Sequence, residues 1–173
     1  MADAASEAVC NPHIGCYAHT LNLAAQKGLR INHVSRLLGR IRRIVSFFSQ
    51  HLPKHKLIQD VCTRWNSAAD MIERFLEYAT LTSKEIRSVN KYVSTLSETD
   101  ISNAELVLAC FKPLRRVTTV LCTEETPSIS IILPLQNQLS TLMAPSDHDL
   151  TSVRYMKATI VNDLSTRIMI SSI

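Results

Sequence analysis

Seven apolar residues between positions 34 and 48 limit what this chain can fold into. Val34, Leu37, Leu38, Ile41, Ile44, Val45 and Phe48 recur at steps of three and four. That spacing gathers them into one stripe along a helix and would scatter them over both faces of a strand. A stripe this continuous calls for other helices to cover it. Arg36, Arg40 and Arg43 line another face of the same segment, with Arg42 at its border. Pro53 places the end of this helix near Gln50, because the residue before a proline is pushed out of helical geometry.

The helical period recurs along the chain. Ala18, Leu21, Ala25 and Leu29 predict a helix from Tyr17, with Gly28 as its terminator. Residues 57–63 read as a connection or a strand. A helix then starts near Asn66 or Ser67, where Ser67 and Asp70 have capping-box spacing. Ala68, Met71, Ile72, Phe75, Leu76 and Ala79 are its stripe. A further helical stretch is expected over 83–92. Ser97-Glu98-Thr99-Asp100 is a start signal for a long helix to about Leu121, with Pro113 expected to kink it. Thr126-Pro127 opens another, with Ile129, Ile132, Leu133, Gln136, Leu139 and Met143 as its face and Pro134 as a bend. Ser146 as N-cap and Asp149 three residues on open the last helix. Val153, Met156, Ile160, Val161 and Leu164 stripe it. Only 3 Gly are present, too few for a turn-rich β-protein.

Charge is distributed unevenly. The net formal charge is +4, but between Lys27 and Arg64 nine basic residues face one acid, Asp60. Such a stretch suits a polyanion such as nucleic acid; a solvated helix face is the other reading. The five cysteines are odd in number and scattered, which fits free thiols in a reducing compartment. No run of 18 apolar residues occurs, so no membrane span and no membrane partner are expected.

Few residue sets suggest chemistry. Cys10-x-x-His13-x-x-Cys16-x-x-His19 offers the ligand types of tetrahedral zinc. Two residues between the pairs are too few for a structural site, which places its ligand pairs at the ends of a longer fold. Cys16 and His19 lack the surroundings of a nucleophile and its base. Asp3 and Asp60 are two carboxylates, fewer than a two-metal nuclease gathers. Trp65 beside Arg64 suits stacking on a nucleobase, or equally a core indole that pins the start of a helix.

Three stretches together resemble the hAT-superfamily transposases, and most nearly their domesticated BED-type zinc-finger relatives. They are Cys16-Tyr17-Ala18-His19-Thr20-Leu21-Asn22-Leu23, Ile41-Arg42-Arg43-Ile44-Val45-Ser46-Phe47-Phe48, and the run from Pro53 through Thr63-Arg64-Trp65-Asn66-Ser67. The resemblance continues more loosely through Phe111-Lys112-Pro113-Leu114 and Ile131-Ile132-Leu133-Pro134-Leu135. It implies an RNase H-like catalytic core interrupted by helices, with three acids holding a divalent metal such as Mg²⁺. Asp3 matches the second acid, although Ala4 stands where the family has Asn. The first and third acids would fall outside positions 1–173, and no BED finger is present. Cys16 and His19 match the family signature. By position, Trp65 with Arg64 matches the element that contacts distorted DNA.

The expected fold is therefore mainly α. A remnant of an RNase H-like α/β core with the basic helix is expected in 1–64, and a helical insertion-type region in 65–173, truncated at its C-terminus. The expected protein is a catalytically inactive, transposase-like, nuclear one without a cofactor. It would associate with DNA through Arg36, Arg40, Arg43, Arg64 and Trp65, and with itself or a full-length relative. A helical protein-interaction module without DNA binding is the alternative.

Overall fold

In a computed structural model, the apolar stripes fold into helices that share one core. The structure describes residues 16–51, 57–81, 96–123, 129–146 and 149–170. The helices among them are α1 Tyr17–Leu29, α2 Asn32–His51, α3 Trp65–Leu81, α4 Glu98–Thr123, α5 Ile129–Leu142 and α6 Thr151–Ile170. No strand occurs among the described residues, and residues 57–61 are irregular rather than extended in a sheet. The helices expected to begin at Thr126-Pro127 and over 83–92 have those segments outside the described residues, as do Asp3, Cys10 and His13.

The α2 stripe is buried along its whole length, from Val34 to Phe48. It packs on α3, whose Met71, Ile72 and Phe75 are buried, and Phe48 meets Tyr78 edge-on with ring centroids 5.1 Å apart. Helix α4 supplies Ala104, Val107, Phe111, Leu114 and Val117 to the same core. It runs through Pro113, so the Ala109 carbonyl receives no N–H from that position. The core joins residues on both sides of position 64.

Helix α1 packs chiefly on α6. Its buried face is Tyr17, Leu21, Ala24, Ala25 and Gly28, which becomes small towards its end. Gly28 does not terminate the helix, which continues to Leu29 and closes at Arg30 with ordinary right-handed backbone. No described glycine has a positive φ. Instead, a Cβ at Gly28 would lie 2.8 Å from both Cγ1 and Cδ1 of Ile160. The glycine is there because α6 leaves no room for a side chain.

Local start signals were read with mixed success. At α4 the capping box forms: Ser97 N–H donates to Asp100 Oδ2 (3.0 Å), and Asp100 N–H donates to Ser97 Oγ (3.3 Å). At α3 it does not. Helix α3 starts at Trp65, Asp70 turns to Arg115 (2.7 Å), and the Ser67 hydroxyl accepts from Val61 N–H (2.8 Å). At α6 the Ser146–Asp149 pair closes a separate turn, and the helix begins later, at Thr151. On α5 the buried positions are Leu135 and Leu139, followed by Met143, while Leu133 points to solvent at 61% exposure.

The two helical glycines of α1 and α2 should respond oppositely to alanine. Gly39 has open space at its Cβ position, so Gly39→Ala should stabilise by about 0.5–1 kcal/mol through helix propensity. Gly28→Ala gains the same propensity but must displace a fully buried Ile160. Overpacking of that kind costs about 1–3 kcal/mol, so a net loss is expected. Urea denaturation of the two variants measures both signs.

Candidate nucleic-acid interface

The two signature segments meet in the fold. Asn22 and Gln26 of α1 donate side-chain amide hydrogens to the Thr63 carbonyl, and Asn22 Oδ1 accepts from Trp65 N–H at 3.5 Å. Arg42 of α2 grips Asp60 from the same loop: Nε reaches Oδ1 and Oδ2 at 2.8 and 3.0 Å, and Nη2 reaches Oδ2 at 2.6 Å. The Asp60 side chain is 2% exposed, and its hydrogen bond holds the Arg42 guanidinium still further above its ordinary pKa. Ser67 closes the loop at its other end, within 2.7 Å of the Arg64 carbonyl. The combination of motifs thus builds a braced turn that delivers Trp65 into the core.

Trp65 is 2% exposed and stacks on Phe111, with centroids 5.4 Å apart and planes 27° apart. Its ring is occupied by packing and offers no free face to a base. Arg64, next to it, is exposed and meets no carboxylate among the described residues. Cys16 and His19 are both exposed at the start of α1, and Tyr17 between them is buried. Burial pushes the Tyr17 phenol above its ordinary pKa. Among the described residues no three His, Cys, Asp or Glu side chains gather as metal ligands. No helix among them is long and apolar enough to cross a membrane.

The three arginines expected on one basic face separate in role. Arg40 forms a two-pronged pair with Asp100 of α4, with Nη1 2.7 Å from Oδ2. Asp100 accepts from Ser97 as well. Its burial would raise the carboxyl pKa, but the Ser97 hydrogen bonds and Arg40 prevail and hold it below the usual range. Arg43 turns back to its own helix, with Nε 3.3 Å from the Gly39 carbonyl. Arg36 is exposed and has no carboxylate partner among the described residues.

Arg36 opens onto a groove of 1110 Å³ between the start of α2, the α1–α2 turn, and the first turns of α4 and α6. Arg30 and His33 line it too, and both are exposed. The groove's acid, Asp100, is already consumed by Arg40. Lys27, at the edge, is committed to Asp163 at 2.7 Å. Among the described residues, Arg30 and Arg36 therefore face the groove without a carboxylate partner. Tyr155 of α6, 63% exposed, lines it as well. Neither Arg30, His33 nor Tyr155 stood out in the sequence, since three separate segments supply them. The one available signal was that the basic run begins before α2, at Lys27 and Arg30.

No family model matches the chain, and no curated protein shows significant sequence similarity to it.

Removing Arg42 would leave Asp60 charged and buried. Arg42→Met should therefore destabilise by about 3 kcal/mol, the low end for breaking such a pair because the arginine is partly exposed. Asp60→Asn, which keeps a hydrogen-bond acceptor for Arg42, should cost less; urea midpoints separate the two.

Acid should also weaken the fold. Asp149 is lowered by its hydrogen bonds from Lys157 and Ser146. Asp163 is lowered because Arg167 and Lys27 outweigh its burial. With Asp100, these carboxyls bind protons less tightly when folded than when unfolded. Their stabilisation is present above the unfolded value of about 3.9 and is lost as pH falls through the lower folded values. The urea midpoint should hold steady from neutral pH to about 5 and fall steeply below about 4.

Proposed function

We propose that this chain is a helical nucleic-acid-binding module that works through the groove lined by Arg30, His33 and Arg36. The observation that carries the proposal is the sorting of charge. Of the four arginines and lysines that line the groove, Lys27 and Arg40 are tied to carboxylates, whereas Arg30 and Arg36 face it with no carboxylate partner among the described residues. Phosphates are the natural partner of unpaired guanidinium groups.

The motifs resembling hAT transposases supply the ancestry in this proposal, together with a nuclear setting and an RNase H-like remnant at the N-terminal side. Binding is the activity proposed; no step of strand cleavage is assigned to these residues. Asp3, the acid implied by the resemblance, lies outside the described residues. A second reading, contact with another protein, draws on Ile58 and Val61. They are 48% and 53% exposed on the turn that Arg42 and Ser67 brace.

Fluorescence anisotropy with labelled oligonucleotides tests the proposal. Affinity should fall with added salt, because phosphate contacts release counterions. Arg30→Ala with Arg36→Ala should weaken binding to every sequence and reduce the logarithmic salt slope by about 2 on duplex, near 0.9 for each phosphate contact. Lys112→Ala with Arg116→Ala, on exposed positions of α4, serves as the charge-matched control. Binding that ignores the double substitution, or that is lost equally in the control, overturns the groove as the site.

A further inference from the structure

The groove has two kinds of wall. Arg30 and Arg36 form the cationic side, with His33 beside them in the sequence. Tyr155, on the second turn of α6, lines the same groove and is largely exposed; Leu150, half-exposed, lines it too. The floor is apolar and buried, made by Val34, Leu37 and Val107. A site for phosphate alone has no use for an aromatic wall and an apolar floor. A nucleotide unit with a free base does: its phosphate meets the guanidinium groups and its flat face meets the ring. In a duplex both faces of each base are already stacked, so only the backbone is on offer.

We infer that the groove selects unpaired strands, with Tyr155 as the stacking platform and Arg30 and Arg36 as the phosphate contacts. This rests on the nucleic-acid reading and sharpens it to a substrate class. The recess suits it: 1110 Å³ is just above the roughly 300–1,000 Å³ of small-ligand clefts, room for one or a few nucleotides. The preference should be tolerant of sequence, since every base has a π-face.

The test compares three labelled ligands on the whole chain: oligothymidylate of about 12 nucleotides, within the span one binding module covers, an abasic strand of the same length, and a duplex. The abasic strand carries the same phosphates without the bases. Wild type should bind oligothymidylate about tenfold more tightly than the abasic strand, the effect of one stacked base. Tyr155→Ala should bring the two together while leaving the abasic and duplex affinities unchanged, and Tyr155→Phe should restore the difference. Tyr155 is exposed, so its loss should spare the fold, which the emission of the buried Trp65 reports independently. Equal binding of the three ligands, or a preference that survives Tyr155→Ala, overturns the inference and leaves general nucleic-acid binding standing. Absence of binding to all three overturns both. Binding only to vesicles of anionic lipid would assign the same cations to a membrane surface and overturn both as well.

Discussion

The absence of a side chain at Gly28 is the constraint on which the arrangement depends. It lets α1 lie against Ile160 and Met156 of α6, and so joins the two ends of the described chain. The turn after α1 is short, with Arg30 and Ile31 alone between α1 and α2. Wherever α6 holds α1, the start of α2 must therefore follow. That linkage sets Arg30, His33 and Arg36 in one groove with Tyr155. The groove is a by-product of helix packing far from any signature motif, and it is only as well defined as the α1–α6 contact.

Charge has two employments in this molecule. Lys27, Arg40, Arg42 and Arg115 connect helices or loops that are distant in sequence, each through a carboxylate. Asp100 does two tasks at once, capping α4 and receiving Arg40 from α2, so the start of one helix is fastened to the side of another. Cations used this way contribute little outward field. A basic surface counted from sequence is therefore larger than the basic surface that a ligand meets. Of the residues read as one arginine face, Arg36 alone opens onto the groove without a partner among the described residues.

The helices were legible because burial imposes a period that survives in sequence; the α2 stripe is the clearest case. Local signals were less dependable. A glycine near a helix end and a glycine at a crossing leave the same mark, so Gly28 read as a terminator. Ser67 with Asp70 has capping spacing, but Arg115 draws that acid elsewhere; Ser146 with Asp149 has it too, but the pair closes a turn of its own ahead of the helix at Thr151. The candidate site was legible only in part. The excess of charge was visible at Lys27–Arg64, but pairing to Asp100, which lies 60 residues from Arg40, is a tertiary fact. Trp65 carried a stacking chemistry that the fold directs at Phe111 instead.

The pairing of α1 with α6 also sets an order on synthesis. Gly28 and Ile160 are separated by more than 130 residues. At about 5–20 residues per second, α1 waits on the order of ten seconds before the surface that covers it has been made. Through that interval Leu21, Ala24 and Ala25 lack their principal neighbour. Helices that complete their contacts within a hairpin do not wait this way. In the cell, the earliest described helix would be the one that holdase chaperones meet.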